Sequence, residues 1–91
     1  MIHERKIQPQ YFDAVRSGKK TFEFRRNDRD FHMGDYLALN EWDGAYTGRT
    51  ELVEVKYIFN PNNIMACSGN YIVMSISRCG VYDNTGEADN G

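Results

Sequence analysis

An amine, a carboxylate and a guanidinium crowd into one short stretch of this chain, Gly18-Lys19-Lys20-Thr21-Phe22-Glu23-Phe24-Arg25. In an extended chain alternate side chains share a face, so Thr21, Glu23 and Arg25 point one way and Phe22 and Phe24 the other. The pattern predicts that the two phenylalanines join a core while the opposite face carries an acid beside a guanidinium. A Glu23–Arg25 ion pair fixes both rotamers, and a carboxylate held in this way can accept from the exocyclic amine or ring N–H of a nucleobase. The guanidinium can stack on a base or grip phosphate. Lys20, where helix gives way to strand, serves as a base if desolvated beside Arg25 and as a phosphate anchor if solvated. Arg26 and Asn27 follow as contacts at the rim. Tyr71 is the preferred stacking surface, ahead of Trp42 and Tyr46. Plainer roles stand beside these: a surface ion pair, a solvated lysine, core aromatics.

The elements that must position these groups are short. Ile2 to Ile7 reads as a strand, with Arg5 and Lys6 interrupting clean alternation. Pro9 suits the first turn of a helix. Tyr11, Phe12 and Val15 give that helix an apolar stripe, and Ser17-Gly18 closes it, with Gly18 free to take the left-handed conformation. A second strand is expected over Lys20–Arg25, then the polar connection Asn27-Asp28-Arg29-Asp30. His32-Met33-Gly34-Asp35 reads as a tight turn into Tyr36–Trp42. Asp43-Gly44 and Thr47-Gly48 bracket a hairpin connection. The next strand predicts Val53, Val55, Tyr57 and Phe59 on one face, ending at Asn60-Pro61-Asn62-Asn63. A loop follows over residues 60–70, with Ile64, Met65 and Ala66 as a short apolar plug. The last strand, Tyr71 to Ser77, turns Ile72, Met74 and Ile76 to one side. Residues 81–91 are expected as a flexible C-terminal tail. The class that results is α+β, mostly β, one domain over residues 1–80, with the sheet closed or nearly so to hide its edges.

The chain's 91 residues leave room for one modest core and one cleft. No apolar run approaches the ~20 residues that span a bilayer. The N-terminal stretch has no secretory apolar region, so the expected location is cytoplasmic, without membrane contact. Cys67 and Cys79 flank a predicted strand about 26 Å long, too far apart for a disulfide unless the chain folds back. His3 and His32 have no zinc spacing, no metal or other cofactor is expected, and His3 reads as a hydrogen-bonded structural residue. Net charge is −2, which argues against indiscriminate polyanion binding. Between Arg16 and Arg29, however, six basic residues face only Glu23 and Asp28, a local +4 on a body that is otherwise −6. Such a patch is a phosphate-sized attractor or a solvated surface around a helix end.

The octet fits Gly-x-Lys-x-x-Glu-x-Arg and resembles the signature of the ASCH family, a branch of the PUA-like superfamily of small β-barrels associated with RNA. His3-Glu4-x-Lys6-Ile7, Tyr11-Phe12, Asn27-Asp28-Arg29-Asp30-Phe31 and Gly34-Asp35 are similar to an uncharacterised bacterial and phage subfamily of that group, over roughly residues 2–78. The resemblance implies a PUA-like barrel with one or two short helices. It implies RNA or a modified nucleotide as ligand, held by Lys20, Thr21, Glu23, Arg25, Arg26, Asn27 and Tyr71. A second implication is amide hydrolysis, since one bacterial relative removes the acetyl group of acetylcytidine. The lysine of that enzyme falls on Lys20, but its nucleophilic threonine falls on Glu23, which cannot replace a hydroxyl directly. Glu23 would then act as a base on water, assisted by Lys20, with Thr21 as a displaced nucleophile. A third reading is a protein-interaction accessory using the acidic face and the tail acids Asp83, Glu87 and Asp89.

Overall fold

A computed structural model describes residues 1–64 and 69–84. Along them run β1 (Ile2–Ile7), α1 (Pro9–Arg16), β2 (Phe22–Arg26), β3 (Tyr36–Trp42), β4 (Tyr46–Phe59), a 3-10 turn (Pro61–Asn63) and β5 (Tyr71–Asp83). The strands form one sheet in the order β1-β3-β4-β5-β2, with β1 parallel to β3 and the remaining neighbours antiparallel. The fold is α+β and mostly β: the sheet curls into a half-barrel, and α1 packs against β3 and β4. Its two free edges, β1 and β2, approach each other where the Arg25 guanidinium donates to the Lys6 carbonyl across 2.9 Å.

The core follows from alternation. Leu37 and Leu39 of β3, Val53 and Val55 of β4, and Ile72, Met74 and Ile76 of β5 are buried on the concave face together with Ile7, Phe12, Val15 and Phe31. Phe12 and Val15 lie three residues apart on one helical face; Tyr11, next round the helix, is exposed. Gly18 takes φ +82°, and the turn it makes lets Lys20 N–H reach the Ala14 carbonyl at 2.9 Å. That bond sets where Lys20 leaves the helix.

Three expectations are corrected. On β2, Glu23 is buried (2% exposed) while Phe22 and Phe24 are 47% and 57% exposed. Glu23 pairs with Met74, and opposed residues share a face, so the acid joins the core row and the phenylalanines turn outward. On β4, Val53 and Val55 face inward, but a bulge at Lys56 inserts one residue between the pairs Val55–Ile76 and Tyr57–Ser75. A one-residue slip exchanges faces, so Tyr57 and Phe59 turn outward and Ile58 packs on the core. On β5, the strand runs on through Asp83, so Val81, Tyr82 and Asp83 pair with β4 rather than open a tail. Residues 85–91, the Met65-Ala66 part of the expected plug and Cys67 lie outside the described residues; Cys79 is an exposed free thiol.

Charge fastens the elements together. Glu51, fully buried, accepts from Arg16 Nε (2.6 Å) and Arg78 Nε (2.7 Å). Arg16 also binds both oxygens of Asp83, at 2.8 and 3.0 Å. Arg49 binds both oxygens of Glu41 at 2.9 Å and Asp13 of α1 at 3.0 Å. These contacts, Asp83 first for Arg16 and Glu41 first for Arg49, raise both guanidinium pKa values. Arg16 therefore belongs to the structural network and not to a basic patch with Lys20.

His3 is hydrogen-bonded, as expected: its Nε2 lies 2.8 Å from Asp35 Oδ2, and its ring packs on Phe31. Asp35 also accepts from the His32 backbone N–H at 3.0 Å, closing the turn before β3. The His3 bond, then the His32 bond, pull the Asp35 pKa from 3.8 to about 2. A folded-state pKa below the unfolded one favours folding at every pH above about 4, and the contribution fades as pH falls toward 2. Urea titrations between pH 5 and pH 2 should therefore show a stability loss that Asp35→Asn flattens; parallel profiles for the two proteins would contradict this account.

Candidate functional site

Glu23 is the pivot of the site. One carboxylate oxygen, Oε1, accepts from Arg25 Nε at 2.8 Å, and the other, Oε2, accepts from Lys20 Nζ. Lys20 also donates to the Phe22 carbonyl at 2.8 Å. The local reason is the alternation of β2: Glu23 and Arg25 both turn toward the concave side, and the helix-ending turn at Gly18 delivers Lys20 beside them. A sealed carboxylate is tolerable here because a cation meets each oxygen. The amine, acid and guanidinium read from the octet do converge.

They line a cleft of about 590 Å³ at the seam between the two sheet edges. Lys6, Ile7 and Gln8 form its β1 side, Phe22, Glu23, Phe24 and Arg25 its β2 side, and Tyr11, Lys20 and Trp42 complete it. Three cations, Lys6, Lys20 and Arg25, stand against one carboxylate in this lining. Lys20 and Arg25 keep 16% and 19% of their side chains accessible, whereas Glu23 keeps 3%. The positive groups are thus reachable and the negative one is not. Lys6 Nζ sits 3.9 Å from the centre of the Trp42 ring, which meets Tyr46 edge-on at 4.8 Å. Lys20 Nζ lies 5.0 Å from the Phe22 ring and 5.8 Å from that of Tyr11.

Arg5 adds to the positive character of the seam. Its Nε is buried without a hydrogen-bond partner among the described residues. Burial, and then proximity to Arg25 and Arg29, lower its pKa from the ordinary guanidinium value, with Asp28 acting in the opposite sense. An anion placed between Arg5 and Arg25 would relieve that repulsion.

The remaining residues singled out from the sequence lie elsewhere. Thr21 is exposed outside the cleft lining, its carbonyl accepting from Ile76 N–H at 3.0 Å. Asn27 is tied to Asn70 by two bonds, its N–H to the Asn70 carbonyl at 2.7 Å and its carbonyl from Asn70 Nδ2 at 3.2 Å. Tyr71 stacks on Phe24 at 5.2 Å with the rings 11° apart, and Arg26 lies over Tyr71 at 5.5 Å. Of that group Phe24 borders the cleft, while Arg26 and Tyr71 lie outside its lining. Sequence reasoning passed over Lys6, Gln8 and Arg5 as site residues, although Arg5 and Lys6 had stood out by breaking the alternation of their strand. A second hollow of about 600 Å³ is lined by Glu4, Glu41, Arg49, Tyr82 and Asp83 among others. Its cation, Arg49, is already held by Glu41 and Asp13, which makes it part of the framework. Among the described residues no group of three or more His, Cys, Asp or Glu could hold a metal ion, and no helix is long and apolar enough to cross a membrane.

Comparison with known proteins places this geometry in context. A family model described as a domain of unknown function, DUF3850, matches residues 2–76. An uncharacterized 12.9 kDa protein in the GpA 3' region of Escherichia phage P2 is 53% identical over 49 residues. That match covers 53% of this chain and 45% of the phage protein, so the chain spans less than half the length of this curated relative. The crystal structure of a mutant ZmASCH protein from Zymomonas mobilis is similar with a TM-score of 0.60, over 87% of this chain and 68% of that one. At 14% identity the likeness is one of fold.

Glu23→Ala removes the acceptor shared by Lys20 and Arg25. It should lower stability by about 1–3 kcal/mol in urea unfolding, the usual cost of leaving part-buried donors without a partner. An unchanged midpoint would mean that the three groups are held apart in solution.

Proposed function

The chain belongs to the DUF3850 family, and we propose that it binds RNA or a modified nucleotide in the seam cleft. The observation that carries this reading is the Lys20–Glu23–Arg25 cluster, a sealed acid between two accessible cations. Its excess charge suits phosphate, and it lies among aromatic rings that suit a base. The fold shared with an ASCH protein supports the same assignment.

The division of labour follows from donor geometry. Arg25 uses Nε and one Nη2 hydrogen within the protein, so Nη1 and the second Nη2 hydrogen are left for a ligand. Lys20 spends two of its three hydrogens on Glu23 and Phe22. Those donors bind phosphate. Glu23, sealed beneath them, orients both cations and does not itself meet the ligand. Trp42 and Tyr11 offer ring faces for stacking. Arg26 reaches a ligand only at the rim, through the Tyr71 side of β2.

Binding of a fluorescent RNA oligonucleotide and of nucleoside monophosphates tests the proposal. Arg25→Ala should weaken binding about tenfold or more, as expected for a hydrogen bond to a charged group. Lys20→Met should act in the same direction, and affinity should fall linearly with the logarithm of salt concentration. Binding that ignores salt, and that both folded variants retain in full, would rule the cleft out.

A further inference from the structure

Beyond the cleft, β2 carries a second surface. Its outward positions are Phe22, Phe24 and Arg26. Through the antiparallel registers Phe24 stands opposite Val73, which stands opposite Phe59. Phe22 likewise stands opposite Ser75, which stands opposite Tyr57. Opposed residues share a face, so two rows cross three strands on the convex side of the sheet, each with a ring on β2 and on β4 and with Val73 or Ser75 of β5 between them. Along each strand the rows lie about 7 Å apart, two residues of extended chain. Tyr57 is 60% exposed and Phe59 37%, so these rings are not core that happens to graze the surface. Tyr71 extends the surface by stacking on Phe24, and Arg26 caps it.

We infer that this face is a stacking platform for single-stranded nucleic acid, continuous with the cleft around the β2 edge. The inference deepens the cleft reading by naming the ligand as a strand rather than a mononucleotide, and it rests on that reading for the strand's anchored end. Two observations and one general property select this occupant. Phe22 and Phe24 border the cleft and also belong to the aromatic rows, so one ligand meets both without a gap. The ionic side chain among the outward positions of the two rows and their Arg26–Tyr71 end is Arg26, a cation already lying over a ring, which suits a polyanion with π faces. The platform needs no base-specific donors: single-stranded bases are splayed out and stacked on rings regardless of sequence. A protein partner would meet the same rings, with the Glu54–Lys56 pair of β4 at their border, and is the competing outcome of the test.

The test compares uridine monophosphate with oligouridylates of roughly two to eight nucleotides. Wild type should bind the longer strands about tenfold or more tightly than the monophosphate. Tyr57→Ala and Phe59→Ala lie outside the cleft; they should remove most of that length-dependent gain while monophosphate binding stays unchanged. Tyr57→Phe, which keeps a ring, should retain the gain, and thermal melting shows that each variant is folded. Affinity that does not grow with length overturns the inference, as does a gain that survives both alanine variants. Concentration-dependent self-association that Tyr57→Ala abolishes, with oligouridylate failing to compete, overturns it in favour of a protein surface. Arg25→Ala reads the cleft separately. If it leaves monophosphate binding intact while Tyr57→Ala still removes the length-dependent gain, the platform stands and the cleft assignment falls.

Discussion

Carboxylates sealed on the concave side of a small sheet are the constraint on which this structure is organised. Glu23, Glu41, Glu51 and Asp35 are all buried. Removing such a charge from water costs several kcal/mol unless a cation or strong donors meet it with good geometry. Each is met by such partners, and a partner that comes in from another element ties the two elements together. Arg16 of α1 and Arg78 of β5 meet on Glu51 of β4. Arg49 of β4 joins Glu41 of β3 to Asp13 of α1. His3 of β1 closes on Asp35 just before β3. The guanidinium groups of Arg16 and Arg49 also lie 4.7 and 4.6 Å from the Phe12 ring centre, so the helix is held by its charged flanks as well as its apolar face.

The Glu23 cluster obeys the same rule but sits in a different place. The Glu51 and Glu41 clusters lie where α1 covers the sheet, and their cations are further engaged by Asp83 and Asp13. Glu23 lies at the seam, on an edge strand, where its two cations keep donors to spare and face Lys6 across the opening. Arg5 behind it has a buried nitrogen with no partner among the described residues. A framework ion pair consumes its charges; this one leaves a positive remainder beside open space. That remainder is the ground for proposing a ligand site here rather than a structural clamp made of the same residue types.

Much of this was legible from local pattern. The helix from Pro9, the left-handed Gly18, the turn at Gly34 and the convergence of Lys20, Glu23 and Arg25 all depend on residues near one another in the chain. What escaped depends on pairing between distant strands. The bulge at Lys56 is one unpaired residue, and nothing in Glu54-Val55-Lys56-Tyr57 marks it; only its register with β5 does. The Arg16–Asp83 pair joins positions at opposite ends of the chain, so Arg16 read as part of a basic patch and Asp83 as part of a tail. The face of β2 was inverted for a related reason. Two phenylalanines around a glutamate suggest a core phenylalanine face by hydrophobicity alone. Pairing of the acid with two cations made the alternative affordable, and the Glu23–Met74 register fixed it.

The inversion and the bulge act together. With Phe22 and Phe24 turned inward, the concave side would gain two rings and lose the Glu23 carboxylate, and Lys20 and Arg25 would lose the acceptor that fixes them. Without the slip at Lys56, Tyr57 and Phe59 would follow Val53 and Val55 inward, leaving Phe22 and Phe24 without aromatic neighbours across the sheet. Each departure from simple burial thus moves polar groups to the seam or rings to the convex side. Exposed aromatics beside a free sheet edge invite unwanted strand pairing. A surface of this kind is more economically explained as a place where a ligand lies than as hydrophobic residue left over from an undersized core, because Ile58, adjacent to both outward rings of β4, does pack against the core and shows that inward space was available.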